Sequence, residues 1–132
     1  MSVGICAYDH VGIRAADREA SVAFYRRLGF EPVPHLSNER VAELVAGGGV
    51  RINLIFNGER RRGNVLMDAP RKWPGYTHAA FIVADLERVI RFAEAEGIAI
   101  TEGPVDWGRR ITCFLRDPDG NVLEFNQLTG AE

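Results

Sequence analysis

The chain has 132 residues, 46% of them hydrophobic, with sixteen Lys and Arg against eighteen Asp and Glu for a formal net charge of -2. That length suits one folded domain spanning 1–132, and the balance excludes disordered, collagen-like and disulfide-scaffold chains. No basic field exists for a nucleic-acid backbone, and no apolar run approaches the roughly 18 residues that span a bilayer, so neither nucleic acid nor membrane is expected as a partner.

The start, Met1-Ser2-Val3-Gly4-Ile5, lacks a basic region followed by an apolar one, which makes a cytoplasmic location the default expectation. Cys6 and Cys113 lie far apart with no CxxC and read as a pair of buried, reduced thiols.

A first module is expected over 5–57. His10 opens a short strand, Asp17 suits a helix N-cap, and Val22, Tyr25 and Leu28 share one face of the helix that follows. Gly29 fits the left-handed position that ends it. Strands are then expected at Glu31 to Val33, Val41 to Val45 and Val50 to Phe56, with turns at Ser37-Asn38 and Gly47-Gly48-Gly49. A connector over 58–75 follows. Arg60-Arg61-Arg62, Arg71-Lys72 and two prolines suit a solvated linker, or a lid whose cations meet an anionic substrate.

The second module, 76–128, repeats the order. His78 opens a strand, Asp85 caps a helix with Leu86, Val89, Ile90 and Ala93 on its apolar face, and Gly97 ends it. Strands are expected at Ile98 to Thr101, Ile111 to Arg116 and Asn121 to Asn126. Their turns are Pro104-Val105-Asp106-Trp107-Gly108 and Asp117-Pro118-Asp119-Gly120. Trp73 and Trp107 read as core residues.

The two modules are related by sequence. At an offset of 68, His10 falls on His78, Asp17 on Asp85, Phe24 on Phe92 and Gly29 on Gly97. The expected fold is therefore α+β, two βαβββ repeats forming a curved eight-stranded mixed sheet, within one chain or with a second. In the last strands Gly49 precedes Asn53 by four residues as Gly120 precedes Glu124, so His10, Asn53, His78 and Glu124 are one pair taken twice. Two imidazoles and one carboxylate form a ligand trio for a divalent metal, leaving positions for water or substrate. Asn53 adds at most a weak carbonyl oxygen. Each residue alone has a plainer reading, a hydrogen-bonded strand histidine or a solvent-facing glutamate.

The phrases Asp9-His10-Val11, Ser21 to Phe30 (SVAFYRRLGF), Tyr76-Thr77-His78-Ala79-Ala80-Phe81 and Asp117 to Phe125 (DPDGNVLEF) carry a resemblance. In that order, with the duplication, the chain resembles the vicinal oxygen chelate superfamily, which includes glyoxalase I, extradiol dioxygenases and bleomycin-resistance proteins. The resemblance implies a divalent metal (Fe, Mn, Ni, Co or Zn) on His10, His78 and Glu124, with Glu124 also acting as a base. It implies a small oxygen-rich substrate held through adjacent oxygens, and a homodimer.

Arg14 and Asn57 match positions that hold substrate in glyoxalase I. Asn53 departs from that enzyme, where a glutamate is expected, and an amide cannot take a proton from carbon. Extradiol dioxygenases suit the trio, with Tyr25, Tyr76 and His35 as loose candidates for acid–base partners. The resemblance thus leaves a glyoxalase-like lyase or isomerase and an extradiol-like dioxygenase open. A metal-free protein that sequesters a ligand, as in bleomycin resistance, is the alternative.

Overall fold

A computed structural model describes residues 1–130. Contacts divide the chain into two compact units, the first Met1–Arg60 and the second beginning at Arg61. Each unit is one βαβββ repeat.

In the first unit β1 (Val11–Arg14), β2 (Glu31–Pro32), β3 (Val41–Ala46) and β4 (Val50–Ile55) form a four-stranded sheet in the order β1-β4-β3-β2. β1 runs parallel to β4 and the other pairs are antiparallel. Helix α1 (Arg18–Arg27) connects β1 to β2. Alternation divides the strand residues between two faces. Ile13, Ala42, Leu44, Ile52 and Leu54 form a buried core with Ser21, Phe24 and Tyr25 of α1. Phe30 closes it edge-to-face against Tyr25, with ring centroids 6.0 Å apart. Tyr25 is thus a core residue and not an acid–base partner.

The second unit has β5 (His78–Ile82), α2 (Leu86–Glu96), β6 (Glu102–Asp106), β7 (Arg110–Arg116) and β8 (Val122–Leu128). Its sheet order, β5-β8-β7-β6, reproduces that of the first unit, again with one parallel pair, β5 with β8. Leu86 and Ala93 of α2, with Cys113, Leu115, Leu123 and Phe125, make its core.

Both capping expectations hold. The Asp17 carboxylate accepts the Ala20 N–H at 3.1 Å and that of Asp85 accepts the Glu87 N–H at 3.0 Å. Gly97 ends α2 with a left-handed φ of 69°. Several other expectations are corrected. The strand expected at Ile98 to Thr101 begins later, at Glu102. The Ile98 N–H is consumed at the helix end by the Ala93 carbonyl, and a register shift between Glu102 and Val105 displaces the pairing with β7. The turn expected over 104–108 is correspondingly confined to the residues after Asp106.

Cys113 is buried but Cys6 is exposed. Trp73 and Trp107 are surface residues, 60% and 63% exposed, instead of core. No helix among the described residues is long and apolar enough to cross a membrane.

Candidate functional site

The face of each sheet opposite the core carries the polar candidate residues of the strands, Glu124 and His78 in the second unit and Asn53 in the first. In the second unit parallel pairing sets Ala80 beside Glu124, which makes His78 and Glu124 diagonal neighbours on that face. His78 Nε2 lies 3.1 Å from Glu124 Oε1, and the carboxylate is largely shielded, its side chain 17% exposed. The other ends of both side chains are anchored. His78 Nδ1 is 2.8 Å from the Thr77 hydroxyl, and Glu124 Oε2 accepts the Asn126 amide at 2.7 Å. The Phe114 ring stands edge-on to the imidazole at 5.9 Å between centroids.

Glu124 therefore does not simply point to solvent. The apolar neighbours that made it conspicuous in sequence, Leu123 and Phe125, occupy the opposite, core face.

The first unit holds the other candidates. His10 lies just ahead of β1, its Nδ1 engaged by the Asp9 carboxylate, which leaves Nε2 as the nitrogen available to a ligand. Arg14 and Asn57 are brought together, the Arg14 Nε–H donating to Asn57 Oδ1 at 2.8 Å. Asn53 stands beside Gly12 of β1 and opposite Glu43 of β3, where Arg51 pairs with the Glu43 carboxylate at 2.5 Å. The Asn53 Oδ1 is buried with no hydrogen-bond partner. A cleft of about 630 Å³ in this unit, lined by Val22, Ala23, Pro32 and Pro34 between Arg18 and Arg26, contains none of these donors.

Among the described residues no three His, Cys, Asp or Glu side chains form a cluster that could hold a metal ion. The donor chemistry nevertheless fits a divalent metal. Each histidine has Nδ1 occupied and Nε2 left as donor, the arrangement of a metal-ligating imidazole with an outer partner. Glu124 has one oxygen anchored and one turned to His78, and Asn53 offers an orphaned oxygen that a cation or ligand could satisfy.

Behind Glu124 stand Thr112 and Asn126, which no sequence pattern singled out, and Trp107, expected in the core. The Trp107 indole donates to the Thr112 hydroxyl at 3.0 Å, and that hydroxyl donates to Asn126 Oδ1 at 2.6 Å. Thr112 and Asn126 are both buried polar side chains, and they face each other in the β7–β8 register. The available sequence signal was weak: Asn126 stands two residues beyond Glu124, hence on the same strand face.

The chain's relatives agree with this architecture. A virulence protein of Salmonella typhimurium strain LT2, STM3117, is 30% identical over 125 residues, 90% of this chain and 82% of that protein. Its crystal structure superposes with a TM-score of 0.70 at 28% identity, covering 96% of this chain and all of that one. A glyoxalase domain-containing protein of Mycosarcoma maydis, RDO1, is 26% identical over 135 residues, 98% of this chain and 73% of that protein. A glyoxalase/dioxygenase structure from Nostoc punctiforme shares the fold at a TM-score of 0.76 and 21% identity, covering 98% of this chain and all of that one. The family model matches residues 7–125, so the chain belongs to the Glyoxalase/Bleomycin resistance protein/Dioxygenase superfamily.

Proposed function

We propose that this protein is a divalent-metal-dependent enzyme acting on a small oxygen-rich substrate, with His10, His78 and Glu124 as the metal ligands. The observation that carries this reading is the 3.1 Å approach of His78 Nε2 to Glu124 Oε1, made by two side chains whose remaining polar atoms are engaged elsewhere. When bound, the metal supplies Lewis acidity, drawing off negative charge that develops on adjacent substrate oxygens.

The chain's own residues supply the rest. Asn53 presents a neutral oxygen, suited to a weak fourth position and unable to accept a proton from carbon. Proton transfer therefore falls to Glu124, at the Oε1 that Asn126 leaves unengaged. The Arg14–Asn57 pair presents guanidinium and amide donors for carboxylate or carbonyl groups of the substrate. The set leaves a glyoxalase-like lyase or isomerase and an extradiol-like dioxygenase open, with Asn53 standing where glyoxalase I is expected to carry a glutamate. The reading includes a homodimer.

Elemental analysis of the protein purified without chelator tests it. Stoichiometric Fe, Mn, Ni, Co or Zn is expected in the wild type and is expected to be lost in His78→Ala and Glu124→Gln. A wild type that takes up none of these metals would reject the enzyme reading in favour of metal-free ligand sequestration.

A further inference from the structure

We propose that Trp107, Thr112 and Asn126 form a one-way hydrogen-bond relay that positions the Glu124 carboxylate for cation binding. This rests on the ligand role proposed above for Glu124. The direction of the relay follows from donor chemistry. An indole N–H can only donate, so the Thr112 oxygen accepts from Trp107 at 3.0 Å. The Thr112 proton is then committed to Asn126 Oδ1 at 2.6 Å, which turns the Asn126 amide nitrogen toward Glu124 Oε2 at 2.7 Å. Every rotor in the chain is thereby set, and its final donor enters a carboxylate, which when ionised can only accept. Oε2 is held, and Oε1 is left facing His78.

The duplication shows that the fold does not itself require this polar pair. Thr112 pairs with Asn126 across β7 and β8, and the matching register pair across β3 and β4 is Val41 with Ile55. The same position in the same sheet is thus filled by two apolar residues in the first unit. Burying a hydroxyl and an amide is costly unless both are satisfied. The second unit keeps a satisfied polar pair two residues along from, and on the same face as, the Phe114–Glu124 pair, whereas the first unit, with Asn53 in the place of Glu124, has no relay and leaves the Asn53 oxygen unpartnered. The polar pair follows the carboxylate and not the fold.

Thr112 and Asn126 are accordingly positioning residues, and Trp107 is the outer end that orients them. Because Trp107 is 63% exposed, the relay reaches from the surface to the carboxylate.

Mn(II) affinity, measured by equilibrium dialysis on the full chain, tests the relay without reference to a substrate. Thr112→Val keeps the shape and removes the hydroxyl, and its affinity is expected to fall by about 10- to 100-fold. Thr112→Ser restores the hydroxyl and is expected to recover most of that loss, which a purely steric role for Thr112 would not produce. Wild-type Mn(II) affinity in Thr112→Val would overturn the relay while leaving the ligand assignment intact. Should Thr112→Val not fold, Trp107→Phe at the surface carries the test: a several-fold loss supports the relay and unchanged affinity overturns it. A wild type that binds neither Mn(II) nor any of Fe(II), Ni(II), Co(II) and Zn(II) in the same measurement fails the ligand assignment itself, and the positioning role falls with it.

Discussion

Cys6 and Cys113 have the same chemistry and opposite exposure. Burial pushes the Cys113 thiol up from its ordinary value, so its thiolate is scarce and shielded, whereas Cys6 is open to solvent near the chain start. Titration of the native protein with a chromogenic disulfide reagent is therefore expected to report Cys6 rapidly and Cys113 only after denaturant is added. Rapid reaction of both thiols in the native state would contradict the buried placement of Cys113. At this scale the sequence revealed chemistry better than environment. His10, His78, Asn53 and Glu124 stand out because a repeat places them in equivalent positions. Thr112 and Asn126 do not stand out, since their significance lies in a cross-strand register that no local pattern contains.

At the level of elements, the two caps differ in how much tertiary help they receive. Asp17 bonds the Ala20 N–H and also takes the Arg60 guanidinium at 2.9 Å. At α2 the load is shared, because Asp85 takes the Glu87 N–H while Gln127 of β8 reaches back to the Leu86 N–H at 2.8 Å. Asp85→Ala is expected to cost about 1 kcal/mol, the usual size of a lost cap, and Asp17→Ala somewhat more. Urea denaturation of both variants checks the order, and an equal or reversed cost would show that Gln127 and Arg60 contribute nothing to it. The caps were legible because they depend on residues a few positions apart, whereas the face of α1 was only partly so: it buries Ser21, Phe24 and Tyr25 and leaves Val22 and Leu28, expected beside Tyr25, half-buried. The start of β6 was not legible. It depends on how the end of α2 consumes the Ile98 N–H and on where β7 accepts the strand, both settled by pairing at a distance.

At the scale of the whole molecule, the connector at Asn64 and Asp68 is tied down within the second unit. Arg116 grips the Asp68 carboxylate with bonds of 2.8 and 3.0 Å, and the Asn64 N–H adds a third donor. These donors hold the Asp68 carboxyl well below its ordinary value of 3.8. A carboxylate depressed in the folded state adds stability above its unfolded pKa, and that contribution is lost as pH falls through the lower, folded value. The gap in melting temperature between wild type and Asp68→Asn is thus expected to be fully present at pH 7 and to close as pH drops below about 4. A pH-independent gap would show that ionisation of Asp68 is not its source.

Duplication, helix placement, turn chemistry and the donor residues are written locally, because a twenty-residue match, a cap or a glycine turn needs no distant partner to be recognised. The partners of those donors were decided only by the folded sheets. A hydrogen-bonded register brings side chains separated in sequence to about 3 Å of one another, and whether Glu124 meets water or the His78 imidazole depends on the β5–β8 register.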